Sequence, residues 1–258
     1  MASYNLSRKE ITCFHEDGFV IVKALFNKEE MDLLLQKSRQ DTNLKESATD
    51  LIDRHGRVSK VTLWNHPGSD LYGAVSRCAR LVDNVESLLG GEVYHWHSKM
   101  MMKEPKVGGA WEWHQDYGYW YDHGCISPDL ASCMVAVDKA TKANGCLQVL
   151  KGSHKAGRIE HGVAGDQVGA DIARVEVMME RYERVYVEME AGDTLFFHSN
   201  LLHTSDANTS ADSRWCLICC YNRRDNSPFK EDCGHPHYTP LEKVHDDDVL
   251  RIGREELV

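Results

Sequence analysis

The sequence predicts a mainly β protein: a double-stranded β-helix of the jelly-roll or cupin-like kind, with N-terminal helices bracing the outside of one sheet. Three observations predict it. Helical patterns lie almost wholly before Val93, and short β-type runs separated by Gly, Asn, Asp and Pro clusters follow it. A His-x-Asp triplet, His114-Gln115-Asp116, sits in one of those runs. A second histidine, His203, closes the distant block that begins Gly192-Asp193-Thr194-Leu195-Phe196-Phe197-His198. Side chains so far apart in the chain meet only where strands converge, and two apposed sheets with inward-facing positions bring them to one point.

The elements follow in order. Ser7 and Glu10 make a capping box, and Ile11, Phe14 and His15 continue at helical spacing to a stop at Gly18. Phe19 to Val22 is a short strand. Asn27-Lys28-Glu29-Glu30 opens a second helix with Met31, Leu34 and Leu35 on one face. A third helix is expected from about Ser69 to Leu89, closed by Gly90-Gly91. Strands are expected at Val93 to Met102, Trp111 to Asp116, Ser132 to Val137, Cys146 to Leu150, Val185 to Glu190, Thr194 to Phe197 and Trp215 to Asn222. Gln167 to Tyr182, where Ile172, Val175 and Met179 repeat, reads as the one helical interruption. No internal repeat or low-complexity linker is visible, so one domain over 1–258 is expected, with the roll over about 93–222.

Composition narrows the function. The chain has 258 residues, enough for a full core, and 40 acidic against 30 basic groups give a net charge of −10. That balance argues against nucleic acid, whose binding rests on clustered Lys and Arg. No apolar run approaches the roughly 20 residues of a membrane span. Met1 to Glu10 has no signal-like apolar stretch, and the chain ends Glu255-Glu256-Leu257-Val258 rather than on a peroxisomal address, so a cytoplasmic enzyme is expected. Nine cysteines, an odd number, fit reduced thiols. Cys216 and Cys219 have C-x-x-C spacing but stand in a β-like run, where cysteines are small buried hydrophobes. Cys233-Gly234-His235-Pro236-His237 reads as a polar surface loop.

The chemistry lies elsewhere. Two imidazoles and a carboxylate can hold one face of an octahedral divalent metal and leave the other open, the arrangement of non-haem Fe(II) oxygenases. In His114-Gln115-Asp116 the period of two along an extended chain puts both ligands on one side. Arg214 opens the apolar run Trp215-Cys216-Leu217-Ile218, so its planar fork of donors points into a buried pocket that must contain an anion, with the Ser205 hydroxyl beside it. Zinc hydrolysis and non-catalytic cupin-like binding are the alternatives. The first has no use for Arg214, and the second has no need of all three ligands.

Three segments resemble the phytanoyl-CoA dioxygenase family of Fe(II)/2-oxoglutarate oxygenases, with motifs similar to the ectoine hydroxylases. These are Trp113 to Trp120, Asn144 to His154, and Gly192 to Ser205 continuing through Asn208, Arg214 and Tyr221-Asn222. The resemblance implies Fe(II), 2-oxoglutarate as co-substrate, O2 as oxidant, and succinate and CO2 as products. It implies metal ligation by His114, Asp116 and His203, with Arg214 and Ser205 on the far carboxylate of 2-oxoglutarate. Lys60 and Lys99 match positions near the co-substrate in relatives. The departures are Lys151 where Pro is frequent, a non-aromatic residue near Val135 where relatives tend to carry Trp, and Gln115 where ectoine hydroxylases place Ser. Ectoine itself is therefore not implied. Retention of Asp116 speaks against a halogenase.

Trp111, Trp113, Tyr117, Tyr119, Trp120 and Tyr121 crowd the ligands in what reads as a loop, bent at Gly118, and form a substrate wall or lid with Asn222-Arg223-Arg224-Asp225 at its rim. An enzyme for a CoA thioester wants a basic approach surface. This acidic chain is expected instead to hydroxylate an aliphatic C–H bond of a small neutral or cationic polar metabolite, with an acyl-CoA as the alternative.

Overall fold

Ser7 and Glu10 make the reciprocal bonds of a capping box at the start of α1 (Arg8–Asp17), and Gly18 ends the helix at φ 87°. A second box, Asn27 with Glu30, opens α2 (Lys28–Gln40). The computed structural model describes residues 4–164 and 166–257. Met1 to Ser3, Gly165 and Val258 lie outside them, including the outermost residues of both termini read above for targeting signals. The other helices are α3 (Thr42–Glu46), α4 (Leu71–Arg77), α5 (Ala79–Leu89), α6 (Asp116–Asp122), α7 (Ile172–Arg181) and α8 (Asp248–Glu256). The strands are β1 (Phe19–Val22), β2 (Thr49–Ile52), β3 (Val58–Trp64), β4 (Val93–Lys103), β5 (Trp111–His114), β6 (Leu130–Ala136) and β7 (Leu147–Leu150). Then come β8 (His161–Ala164), β9 (Gln167–Ala170), β10 (Arg184–Val187), β11 (Thr194–His198), β12 (His203–Ser205) and β13 (Arg214–Arg223).

Seven strands in the order β1-β11-β6-β13-β4-β3-β2 form the larger sheet, and β10-β7-β12-β5 the smaller. All their pairings are antiparallel. The two inner faces share one core, with Leu195, Phe197 and Cys216 of the larger sheet against Leu147 and Val149 of the smaller. This is the double-stranded β-helix. The outer face of the larger sheet buries Met100, Met102, Val135 and Leu217 against Phe14, Leu34, Val75, Val85 and other helical residues, which is the bracing expected of the N-terminal helices. α8 joins them, and its Gly253 comes close to Leu33 and Leu71. A third cluster, Leu150, Ile159, Val175, Met178 and Leu202, lies where α7 covers the smaller sheet. Among the described residues no helix is long and apolar enough to cross a membrane.

Two expectations are corrected here. The helix expected from Ser69 to Leu89 is broken at Cys78, which turns to ψ 143°. Val244 from the C-terminal segment exchanges backbone bonds with Arg77 and Ala79 there, a long-range partner that local periodicity does not reveal. The helix expected from Gln167 to Tyr182 begins only at Ile172, because Gln167–Ala170 pair with His161–Ala164 as a hairpin.

Candidate metal centre

His114 ends β5 directly opposite His203 of β12, and their ring centroids lie 4.0 Å apart. Gln115 is still extended, at φ −113° and ψ 134°, so Asp116, the first residue of α6, returns to the side of His114. The ligand atoms of His114, Asp116 and His203 all lie within 4.8 Å of one another, and all three residues are buried. Nδ1 of His114 faces the Glu112 carbonyl at 2.7 Å, and Nδ1 of His203 faces the Leu201 carbonyl at 2.8 Å. Each Nδ1 is thereby the N–H, and each Nε2 lone pair is left for a metal. Ser132 donates to Oδ2 of Asp116 at 2.7 Å, which leaves Oδ1 turned to the histidines.

The electrostatics suit a divalent cation. Burial, reinforced by His203, holds the His114 imidazole well below the ordinary histidine range. Burial lowers His203 as well, against the pull of Asp116. Burial alone would raise the Asp116 carboxyl, but Lys99 and His203 outweigh it and keep the group below the usual range. Two neutral imidazoles and one carboxylate are the donor set of the facial triad, so the residues present fit Fe(II).

Beyond the triad lies a buried cationic end. Arg214 stands opposite Lys103 in the β13–β4 register, and both side chains are buried. Lys103 Nζ donates to Ser205 Oγ at 2.7 Å and to the Asp206 carbonyl at 2.6 Å. Arg214 donates to the Gly145 carbonyl at 2.9 Å, while its Nε has no partner. Burial, then the Arg214 charge, pushes Lys103 far below the usual lysine range. The Arg214 guanidinium, with only the Gly145 carbonyl and the Cys216 sulfur as acceptors, can hold an anion without further desolvation, with Ser205 and Lys103 beside it. The cavity between this end and the triad is lined by Lys99, Trp111, His114, His203, Ser205 and Arg214, among others.

A model of the phytanoyl-CoA dioxygenase family (PhyH) matches residues 14–216. The chain belongs to that family. It is 31% identical to an L-proline trans-4-hydroxylase of Streptomyces griseoviridis over 192 residues, 68% of this chain and 70% of the relative. It is 24% identical to an ectoine dioxygenase of Sphingopyxis alaskensis, across 98% of this chain and 88% of the relative. Two crystal structures share the fold. EctD from S. alaskensis with 2-oxoglutarate and 5-hydroxyectoine has a TM-score of 0.76 at 22% identity, covering 93% of this chain and 88% of that one. The epimerase SnoN, with Fe3+ and alpha ketoglutarate, has 0.74 at 18%, covering 92% and 93%. This member of the phytanoyl-CoA dioxygenase family is an Fe(II)- and 2-oxoglutarate-dependent dioxygenase that uses O2 and hydroxylates small-molecule C–H bonds.

The remaining expected residues divide. Lys99 Nζ lies 3.7 Å from Asp116 Oδ1 and lines the cavity. Lys60 does not reach it. Lys60 pairs in register with Met102, whose side chain lies in the helix-side core, and its ammonium meets Asp50 at 3.1 Å in solvent. On β6 it is Met134, not Val135, that faces the cavity. Trp113 is no substrate wall, for it packs beside Val175 and Met178 on the outside of the smaller sheet. As the neighbour of the inward-facing His114 it points to the opposite face of β5, and a register shift between His203 and Ser205, which pair with His114 and Trp111, turns Trp111 inward. Tyr117 is spent on structure, its hydroxyl donating to the Ile126 carbonyl at 2.6 Å. Tyr119 stays beside a ligand, 5.6 Å from His114, and donates to the Val168 carbonyl, whereas Trp120 packs in the inter-sheet core against Trp96 and His97. The expected charged rim is absorbed in surface pairs, Arg223 with Asp129 and Asp225 and Arg224 with Glu92. Cys216 and Cys219 point into different cores, and all nine cysteines are free.

Two residues carry roles that the sequence did not disclose. Gln115, between the ligands, is buried with every polar group engaged. Its amide nitrogen donates to the Gly157 and Asn200 carbonyls, its oxygen accepts from the Ile159 N–H, and its backbone N–H meets Nε2 of His161 at 2.9 Å. Gly118 lies in α6 rather than in a loop, and a Cβ there would stand 2.2 Å from the His161 ring. Glycine is needed for that close approach. Gly118→Ala should therefore cost about 1–3 kcal/mol as overpacking, or several degrees at about 2–4 °C per kcal/mol. An unchanged melting temperature by calorimetry would refute this.

Proposed function

We propose that His114, Asp116 and His203 hold Fe(II), that Arg214, Ser205 and Lys103 hold the far carboxylate of 2-oxoglutarate, and that the enzyme hydroxylates an aliphatic C–H bond of a small polar metabolite. The observation that carries the ligand assignment is the freeing of both Nε2 atoms beside Oδ1 of Asp116. The metal supplies the oxidising chemistry once 2-oxoglutarate and O2 are bound. The protein fixes tautomers, orients the co-substrate through the Arg214–Lys103 end, and walls the centre with Trp111 and Tyr119. A hydrolytic reading leaves the buried Arg214 guanidinium without a purpose.

A small metabolite is supported over an acyl-CoA by the fate of the basic residues. Lys103 is buried, and Lys60, Arg223 and Arg224 are all paired with carboxylates, so they form no basic approach surface for phosphates. The relatives named for L-proline and ectoine point the same way. Nine free thiols, eight of them buried, fit a reducing cytoplasm. The test is Fe(II)- and O2-dependent succinate formation, screened against acyl-CoAs, free acids, amino acids and quaternary amines. Turnover confined to small polar compounds is expected. Stoichiometric hydroxylation of an acyl-CoA, with none of the small compounds turned over, would reverse the substrate assignment.

A further inference from the structure

Side chains alternate along β4. Met100 and Met102 go to the helix-side core, whereas Lys99 and Met101 line the cavity. In the β13 register Lys99 stands opposite Ile218 and Lys103 opposite Arg214. Lys99 is therefore four residues, roughly 13 Å, along the strand from the Arg214 end. Its ammonium reaches the triad instead, 3.7 Å from Oδ1 of Asp116. That separation is an ion pair and too long for a hydrogen bond. Among the described residues Asp116 is the one carboxylate within ion-pair distance of Lys99, whose side chain is only 17% exposed.

One oxygen thus faces two cations. Ser132 engages Oδ2 of Asp116, and Oδ1, 3.9 Å from Nε2 of His114, is the oxygen left for a metal as well as for Lys99. Burial alone would lower the Lys99 ammonium, but the Asp116 carboxylate outweighs it, so Lys99 stays charged. When Oδ1 is given to a divalent ion, Lys99 loses its counter-charge and is left as a largely buried ammonium facing a dication. A carboxylate brought into the cavity restores the balance. 2-Oxoglutarate is a dianion, and the cavity presents a positive side chain at each end, Arg214 at one and Lys99 at the other. With the far carboxylate on Arg214, the carboxylate left for Lys99 is that of the keto-acid end.

We propose that Lys99 is a positioning residue that couples the two ligands: its ammonium opposes Fe(II) while the cavity lacks 2-oxoglutarate, and it holds the keto-acid carboxylate once the metal is in place. The inference rests on the ligand assignment above and adds a rule of assembly to it. Metal and co-substrate each tighten the other, by the same factor, beyond what chelation alone gives.

The test is a pair of anaerobic Fe(II) titrations, without and with saturating 2-oxoglutarate, on wild type and Lys99→Met. The ratio of the two dissociation constants is the coupling factor, to which chelation contributes in both proteins. Lys99→Met removes the charge and keeps an apolar stem. It should bind Fe(II) alone at least about fivefold more tightly than wild type, and its coupling factor should fall at least about tenfold, as expected where two sites are coupled. Lys99→Arg, which keeps the charge, should retain most of the wild-type factor. Circular dichroism of each variant checks the fold, and Lys99→Gln, uncharged but still able to donate to Asp116, takes the place of Lys99→Met if that variant does not fold. A merely structural Lys99 would change the melting temperature and leave the ratio where it was. Equal coupling factors in wild type and uncharged variant, or Fe(II) alone bound no more tightly without the ammonium, would overturn the proposal and leave the triad standing. Failure of the wild type to bind 2-oxoglutarate in the presence of Fe(II) would instead remove the reading on which the inference rests.

Discussion

Asp116→Ala is expected to lose Fe(II) binding by at least about a hundredfold and with it all 2-oxoglutarate turnover, in a protein that still folds. Replacing a group that merely orients a metal ligand costs roughly 10–100-fold in metal affinity, and Asp116 is the one anionic member of the triad. Its loss also leaves the Lys99 ammonium, now 3.7 Å from Oδ1, without that neighbour and facing the cavity. A divalent ion would then meet an uncompensated positive charge. Asp116→Asn keeps the acceptor for Ser132 while removing the charge, so it separates a folding defect from a ligation defect. Anaerobic Fe(II) titration with circular dichroism reads both, and unchanged 2-oxoglutarate decarboxylation in either variant would refute the assignment.

Arg214→Ala should raise the KM for 2-oxoglutarate by more than tenfold while leaving Fe(II) binding intact. Truncating one partner of a buried charge pair costs on the order of 2–5 kcal/mol. The loss should stop short of complete, because Lys103 stands opposite Arg214 and is held below its usual range partly by the Arg214 charge. Without that repulsion Lys103 takes up its proton more readily and keeps some hold on the carboxylate. Much of the kcat should therefore return at saturating 2-oxoglutarate, the pattern of lost uniform binding. Identical KM values in wild type and variant would place the anchor elsewhere.

What could be read from the sequence divides along a physical line. The capping boxes at Ser7 and Asn27, the glycine stop at Gly18 and the hydrophobic face of α2 are local, and they stand where the pattern put them. The roll was legible because β-type runs and the His-x-Asp triplet agreed on one architecture. Failures came where distant partners decide. Val244 breaks the helix at Cys78, and the hairpin of β8 and β9 takes the first turn of the expected third-quarter helix. Period-two counting from His114 already puts Trp113 on the outer face of β5, and grouping it with the aromatic stretch misassigned it, whereas the register shifts that turn Trp111 and Trp96 inward leave no trace in the sequence. Lys60 was carried by resemblance alone and lies on the wrong face of its strand. Lys103 gave no signal beyond its charge, since only strand pairing brings it opposite Arg214.

The bonds around Gln115 bear on how the enzyme acquires its metal. Gly157, Ile159, His161 and Asn200 hold the link between His114 and Asp116 through contacts made entirely by protein. The triad is thus shaped by folding, unlike metal sites whose ligands gather only around the ion. A preshaped face of two imidazoles and a carboxylate has little means of refusing an ion of similar size. Affinity for divalent first-row ions at such donors rises from Fe(II) through Co(II) and Ni(II) to Cu(II). Selection of iron therefore falls to the supply of metals around the protein, and a cell poor in iron or rich in nickel would fill this centre with an inert ion while leaving the fold unchanged.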